Sequence, residues 1–390
     1  MTLAELFPEK GRILFTGSGK EFVEQLGLEA IRNSVLSVML GENLRTQTEP
    51  LSRGKLAIVS GALIAMFLRG HVEIDNFTDS LSEMALEQLA KRGKGRDKVA
   101  ISVAQWVIGL TQKQIQNVLR SDLDQIKGYV EDFEGAINEA AERCREDFGD
   151  VSMTLGFIED KEGQRVELDW RDIARLTTAI GSQTLALRGS HKSMLGKLFE
   201  RLILGSMLTI LGFERVNRDT NSKTEGVFWL SDSKGEKGER ERDATLLVRP
   251  GQLVYFDIGF IGPGNSEISK DKLTRWGREA ETADGKVEAT TFIIVDRLPA
   301  TGKTQKLADR IDAEIVQMSM GYWMRDLSGL LHDRFGVEHE IQDLENGAMA
   351  PYLKEKLSQI AIQDFLSDLS TEELEDEAED EAEESQVEEE

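Results

Sequence analysis

Two aspartates at a predicted β-hairpin are the residues of this 390-residue chain that are best placed to do chemistry. Two apolar runs flank the turn pair Pro250-Gly251, which predicts a hairpin. Asp243 opens the first strand and Asp257 lies inside the second. If three residues form the loop, the two carboxylates face each other on strands whose opposed Cβ atoms are about 4.5–5.5 Å apart. Like charges at that distance repel unless a cation lies between them, so the pattern favours a divalent metal.

A helix that precedes the hairpin supplies a third carboxylate. Glu200 lies at the edge of the apolar face of a helix predicted over 191–211. It is either a surface glutamate paired with Lys197 or Arg201, or a partner of the two hairpin aspartates. Acidic residues with a nearby lysine suit metal-assisted phosphodiester hydrolysis, because Mg²⁺ prefers carboxylate oxygens and activates a bound water.

Competing catalytic patterns are absent from the sequence. The four histidines form no H-E-x-x-H motif and the single cysteine, Cys144, lies in a charged helical stretch, which disfavours a zinc site. The Thr-Gly-Lys-Thr segment at 301–304 is similar to the end of a phosphate-binding loop, but Arg297 stands where the first glycine belongs. The hairpin therefore stays the leading candidate site.

The hairpin and its preceding helix resemble the core of the PD-(D/E)XK nucleases. In that family a helical glutamate precedes a strand with an acid, and the next strand carries an acid, any residue and a lysine. The string FDIGFIGPGNSEISKDKLTRW also resembles type II restriction endonucleases of the CfrBI kind, and the resemblance spans 189–297. It implies a Mg²⁺-dependent, sequence-specific endonuclease of double-stranded DNA, in which Asp243, Asp257 and Glu200 bind the metal.

The lysine of the family pattern is displaced in this chain, because position 259 is Gly259. Lys270 and Lys272 lie in a helix predicted after the hairpin and could swing back toward the metal. Lys272 is the preferred catalytic lysine, since the pair Asp271-Lys272 is closest to the family string. The resemblance further implies phosphate contacts from five basic residues: Lys192, Lys197, Lys270, Arg275 and Arg278.

The hydrophobic pattern divides the chain into four regions and predicts an α/β (α+β) fold. Residues 1–150 form a mostly helical N-terminal domain for recognition or dimerisation, and 151–188 form a connecting segment. The resemblance implies that residues 189–365 form a restriction-endonuclease-like core, with a small mixed sheet flanked by helices. The acidic tail, 366–390, is predicted to be disordered.

Individual elements follow from the same pattern. The helix at 191–211 is expected to begin after Ser190 as N-cap, and the chain is expected to break at Pro50. A charged helix over 121–148 could either pack within its domain or mediate dimerisation. Strands are predicted at 213–216, 227–230, 244–248, 253–261 and 286–295, and later helices at 304–320, 321–334 and 350–369.

The net charge of −24 is concentrated at the C-terminus, where residues 371–390 carry 13 acidic and no basic side chains. The remaining −11 argues against a protein that coats nucleic acid, but it allows an enzyme that grips DNA in one local cleft. The longest uncharged run, 56–68, has 13 residues, whereas a bilayer span needs about 20, so no membrane partner is expected. One cysteine and no signal-like start favour the cytoplasm.

Two alternatives stay open beside the endonuclease. A non-catalytic nucleic-acid-binding or assembly protein with a degenerate nuclease core would explain Gly259 and the acidity. An interaction protein with two strand-edge aspartates would place their carboxylates on opposite faces of the sheet. If the endonuclease hypothesis holds, palindromic cutting favours a homodimer with one active site per strand.

Overall fold

The computed structural model describes residues 1–91, 97–120, 122–157, 165–217, 225–231, 242–259, 288–296 and 313–370. The chain divides into two compact units, each built from two segments. The helical unit comprises Met1–Gly17 and Ser52–Lys192, and the sheet unit comprises Ser18–Leu51 and Ser193–Glu390. The α+β fold predicted from the sequence is confirmed, while the four functional regions stay a prediction.

Twelve helices lie in the described ranges. They are α1 (Leu3–Leu6), α2 (Glu9–Thr16), α3 (Gly19–Leu26), α4 (Leu28–Met39), α5 (Leu44–Glu73), α6 (Phe77–Ala90), α7 (Lys98–Val107), α8 (Gln112–Asn117), α9 (Leu123–Phe148), α10 (Trp170–Ile210), α11 (Trp323–Phe335) and α12 (Met349–Ser358). The described strands are β1 (Met153–Phe157), β2 (Arg165–Leu168), β3 (Glu214–Arg215), β4 (Val227–Leu230), β5 (Ala244–Arg249), β6 (Gln252–Gly259), β7 (Glu288–Val295) and β8 (Ala313–Gln317).

The main sheet has six strands in the order β3-β4-β5-β6-β7-β8. Strands β4, β5 and β6 form an antiparallel meander, whereas β6, β7 and β8 run parallel to one another. The predicted mixed sheet is therefore confirmed. The alternating residues Val254, Phe256 and Ile258 of β6 are fully buried on one face of the sheet. The ring of Phe256 contacts that of Phe292 of β7 in a tilted arrangement.

The helical unit covers the apolar face of α9. Ile126, Val130, Phe133 and Ile137 are all buried, so this face packs within the unit and is not left open for a second subunit. The buried Arg175 forms an ion pair with Glu134 of α9. Burial would raise the pKa of Glu134, but hydrogen bonds from Arg175 and Ser82 outweigh it and lower the pKa below its ordinary value.

Two predicted helix boundaries are wrong. Helix α10 runs without interruption from Trp170 to Ile210, so Ser190 lies inside it and does not begin a helix, although Gly212 ends it with φ +87° as expected. Helix α5 continues through Pro50. In both cases burial of an apolar face along a long helix outweighs a local cap or breaker signal, because tertiary packing supplies most of the stability of a helix.

The helix predicted over 304–320 is also wrong where the structure describes it. Residues 313–317 form β8, which pairs in parallel with β7. Short apolar runs do not distinguish a strand from a buried helix, and the neighbouring strand decided the outcome here. The helix predicted over 350–369 ends early, since α12 stops at Ser358 and a short 3₁₀ turn follows at Ile362–Leu366.

Among the described helices, α5 alone is long and apolar enough to cross a membrane by length and composition. The core helices of globular proteins pass the same test. Val59, Leu63, Met66 and Phe67 of α5 are fully buried within the helical unit, as expected for a core helix.

Candidate active site

The register of the hairpin brings the two aspartates together. Strands β5 and β6 pair Ala244 with Phe256, and the same register extended by one residue sets Asp243 opposite Asp257. Side chains at directly opposed positions of an antiparallel pair lie on the same face of the sheet. This register is the one that the predicted juxtaposition requires, and the facing of the two carboxylates stays a prediction.

The turn differs in detail from the predicted three-residue loop. Arg249 pairs directly with Gln252, and the register shifts between Leu247 and Arg249. Strand β5 accommodates one extra residue as a bulge. The pairing on the side away from the turn is therefore the same as the predicted pairing. Gly251 has φ +84°, a conformation that glycine adopts without steric cost, which explains the Pro250-Gly251 pair.

The carboxylate of Asp243 reaches across to β6. Its Oδ2 accepts a hydrogen bond of 2.7 Å from the backbone N–H of Ile258, the peptide nitrogen that directly follows Asp257. The side chain thus takes a position that a backbone carbonyl would occupy if the antiparallel ladder continued. Both acids are therefore fixed at the open end of the hairpin, by register and by a hydrogen bond.

Asp257 is buried, with 8% of its surface exposed. Its neighbours Phe256 and Ile258 point to the opposite, apolar face, and its partner on β7 is Ile293. A carboxylate so far removed from water is stable as an anion only with hydrogen-bond donors or a cation close by.

Glu200 lies on α10 with 13% of its side chain exposed, and its Oε2 is 3.4 Å from the Nζ of Lys197. The ion pair considered from the sequence is therefore present. It is compatible with a role for Glu200 beside the hairpin acids, because a carboxylate has two oxygens and can accept from more than one partner. The assignment of Glu200 stays a prediction.

Arg201, the neighbour of Glu200, connects α10 to the hairpin. Its buried guanidinium donates hydrogen bonds to the carbonyl oxygens of Ser231 and Phe365. The N–H of Ser231 in turn donates to the carbonyl oxygen of Asp243, at 3.2 Å. Arg201 was not among the residues selected from the sequence. Its only signal there was its position next to Glu200, because its partners are backbone atoms far away in the chain.

A comparison with known families supports what this geometry suggests. The model of the CfrBI restriction endonuclease family matches residues 28–303. The chain belongs to the CfrBI restriction endonuclease family. Type II restriction enzyme CfrBI from Citrobacter freundii is 31% identical over 371 residues, which cover 93% of this chain and 94% of the relative. No solved structure matches the chain.

The CfrBI-family match extends well beyond the motif region. It begins at residue 28, in α4, whereas the resemblance carried by motifs begins at 189. The candidate acids Glu200, Asp243 and Asp257 all lie within the match.

The lysine of the family pattern has no counterpart at its usual position in this chain. Gly259 is the buried last residue of β6 and pairs with Val295, so no side chain extends from the position of the family lysine. The predicted catalytic Lys272 lies outside the described residues. The same holds for Lys270, Arg275 and Arg278, and for the side chain of Lys192.

The two hairpin carboxylates are a donor set that fits Mg²⁺. Mg²⁺ is commonly held by one or two carboxylates, with water and substrate phosphate completing its octahedron. Asp243 and Asp257 supply two carboxylates at neighbouring positions of one hairpin end. Within the described ranges no group of three or more His, Cys, Asp or Glu side chains forms a metal site, so a site rich in protein ligands is not found there.

A further buried acid lies at the end of β7. Asp296, also 8% exposed, accepts a hydrogen bond of 2.7 Å from the Nδ2 of Asn43, just before α5. The backbone oxygen of Asp296 accepts from the N–H of Ser319. This carboxylate is thus engaged in fixing the chain before α5, and it provides a natural comparison for Asp257.

Proposed function

We propose that this chain is a Mg²⁺-dependent, sequence-specific endonuclease of double-stranded DNA, a type II restriction enzyme that hydrolyses phosphodiester bonds. The observation that carries the proposal is the hairpin register, which places Asp243 opposite Asp257 when it is extended by one residue, together with the hydrogen bond from the N–H of Ile258 to Asp243. Membership of the CfrBI family supports DNA as the substrate and a type II nuclease as the class. Such an enzyme acts in the cytoplasm, the location that the cysteine content favours.

In this proposal Asp243 and Asp257 hold the metal ion, and Glu200 completes the network directly or through water. The bound ion supplies Lewis acidity at the phosphoryl oxygen and a more acidic water. Asp243 is oriented for this task by the N–H of Ile258. Lys272 orients the nucleophile and balances the charge that develops on the phosphate.

The proposed DNA contacts are Lys192, Lys197, Lys270, Arg275 and Arg278, with the enzyme acting as a homodimer. Among these residues, Lys197 is the one whose side chain is described. It lies one helical turn before Glu200 and forms an ion pair with it. A lysine in that position can exchange a carboxylate for a phosphate partner when DNA binds, because both are anionic oxygen groups.

A second candidate function is a non-catalytic nucleic-acid-binding or assembly protein with a degenerate nuclease core. Gly259 is the observation that favours it, since the position of the family lysine has no side chain. The two candidates differ in one outcome: only the endonuclease converts unmethylated plasmid or phage DNA into discrete fragments when Mg²⁺ is added.

The first prediction concerns Asp257. Asp257→Asn preserves the shape of the side chain but removes the charge that would hold the metal. We expect Mg²⁺-dependent cleavage to fall by about a hundredfold or more, the size of losing one electrostatic group at a reaction centre. Binding of the same DNA should be nearly unchanged. Cleavage is measured as the rate of fragment formation on a plasmid that the wild type cuts, and binding by fluorescence anisotropy.

The matched control is Asp296→Asn, because Asp296 is equally buried at the end of the neighbouring strand. This variant should lose stability through its bond to Asn43 but keep cleavage. Full cleavage by Asp257→Asn, or an equal loss in both variants while both stay folded, would contradict the proposed site.

A further inference from the structure

An arginine stacks on the acidic face of the hairpin. Tyr255 lies two residues before Asp257 in β6 and pairs with Thr245, so its ring is on the face that carries Asp243 and Asp257. The guanidinium carbon of Arg242 lies 3.2 Å from the centroid of the Tyr255 ring. The side chain that immediately precedes Asp243 thus returns over the same face.

Stacking determines the orientation of the Arg242 guanidinium. A guanidinium that lies flat on an aromatic ring uses its face for the contact and directs its N–H donors outward in its own plane. Those donors match the oxygens of a phosphate group in pairs. Two residues along a strand cover about 6.5 Å, so Tyr255, whose ring Arg242 covers, lies about that far along β6 from Asp257.

We propose that Arg242, held by Tyr255, contacts a phosphate of the DNA backbone next to the phosphate that is cleaved. This inference rests on the proposed function and adds a residue to that site. The contact holds the DNA strand against Asp243 and Asp257, and it supplies positive charge on a face whose family lysine position is Gly259. Arginine stays protonated at neutral pH, so Arg242 binds and positions the phosphate and does not transfer a proton.

The test uses Arg242→Gln, Arg242→Lys and Tyr255→Leu in the full chain. The probe is a duplex that contains the cleavage site mapped from the wild type's own fragments, and binding is measured with Ca²⁺ in place of Mg²⁺. For Arg242→Gln, we expect affinity to fall about tenfold to a hundredfold, the range of one charged hydrogen bond. The slope of log Kd against log salt should fall by about one, as for any lost phosphate contact.

The other two variants separate charge from geometry. Arg242→Lys keeps the charge, so it should retain the salt slope while losing part of the affinity. Tyr255→Leu removes the ring but not the charge, so it should weaken binding less than Arg242→Gln and leave the salt slope intact. If Arg242→Gln does not fold, these two variants still test the role of the stack.

The matched control is Arg325→Gln. Arg325 also lies over a tyrosine, with its guanidinium carbon 5.0 Å from the Tyr322 ring, but it donates to the carbonyl oxygen of Leu344. Its loss should lower the melting temperature without changing the salt slope. A purely structural role for Arg242 would give this same result.

Single uncharged methylphosphonate substitutions next to the cleavage site locate the contact. One such position should weaken the wild type, yet cause no further loss in Arg242→Gln, because the two changes remove the same interaction. Additive losses at every position, or an unchanged salt slope in a folded Arg242→Gln, overturn the inference alone. A wild type that cuts no DNA overturns the proposed function, and the inference with it.

Discussion

The two hairpin aspartates, Asp243 and Asp257, differ in the surroundings of their carboxylates. Asp243 is satisfied in part by a backbone N–H, while Asp257 is buried between apolar neighbours on its own strand. Bringing two anions to one hairpin end is unfavourable unless a cation or donors compensate. In the proposed enzyme a metal ion would be such a cation, and it would also supply the Lewis acidity for hydrolysis.

A prediction at the residue scale concerns the displaced lysine. If Lys272 replaces the lysine missing at Gly259, Lys272→Gln should lower kcat by about 10²-fold or more, because it removes charge stabilisation in the transition state. KM should change little, since the loss affects the transition state more than substrate binding. The measurement is steady-state cleavage of the mapped duplex over a range of substrate concentrations, which gives kcat and KM separately.

Lys270→Gln is the matched control for Lys272→Gln, because both residues lie in the same predicted helix and differ only in direction. It should raise KM as a lost phosphate contact would, with kcat preserved. The opposite result would transfer the catalytic role to Lys270. No effect from either variant would indicate a different cation at the site.

At the scale of elements, one arginine ties the long helix to the hairpin. Arg201 of α10 binds the carbonyl oxygens of Ser231 and Phe365, and Ser231 is hydrogen-bonded to Asp243. These residues are far apart in the sequence. No local sequence pattern therefore predicts how the helix packs against the strands. Hydrogen bonds from Arg201 to backbone atoms contribute to their relative position, beside the buried apolar side chains of α10.

Arg201→Met tests this connection. It leaves two carbonyl groups without their buried donor, and each unpaired group costs about 1–3 kcal/mol. We expect the free energy of unfolding to fall by roughly 2–5 kcal/mol and kcat to fall as the acids lose their alignment. Urea denaturation measures the first effect and fragment formation the second.

Arg215→Met serves as the comparison for Arg201→Met. Arg215 also binds the 364–368 segment, through the Asp364 carbonyl oxygen and the Asp368 carboxylate, but its contacts are exposed. Its removal should cost less than about 1 kcal/mol, as for other exposed ion pairs, and should leave kcat unchanged. Equal effects of the two variants would mean that Arg201 has no special link to the site.

At the scale of the whole molecule, the expected homodimer has a direct consequence for cleavage. If each subunit cuts one strand, a mixed dimer of wild-type and Asp257→Asn chains should nick its site and stop. The reason is that only one of its two active sites keeps the Asp257 carboxylate. The measurement is the accumulation of open-circular plasmid after the two proteins are mixed under conditions that allow subunit exchange.

The control for the mixed dimer is a mixture of wild type and Asp296→Asn, which should linearise the plasmid at the wild-type rate. Linear product without a nicked intermediate in the Asp257→Asn mixture would indicate that one subunit cuts both strands in turn. Sedimentation of the wild type at the concentrations used then distinguishes a monomer from a dimer.

The sequence by itself determined the local elements of the site. Alternation in 253–261 predicted β6, the pair Pro250-Gly251 predicted the turn, and their spacing predicted that Asp243 faces Asp257. These features follow from contacts within about 20 residues, where the register of a hairpin is set by its turn and its apolar pattern. The family resemblance carried by the same residues is confirmed by the match over 28–303.

Only the tertiary structure decided the features that depend on distant parts of the chain. Arg201 meets Ser231, Asn43 meets Asp296, and residues 313–317 become a strand because β7 lies beside them. Local sequence gave no sign of these partners, and for 313–317 it favoured a helix. The physical reason is that burial and pairing with remote backbone contribute more free energy than the propensity of a short segment.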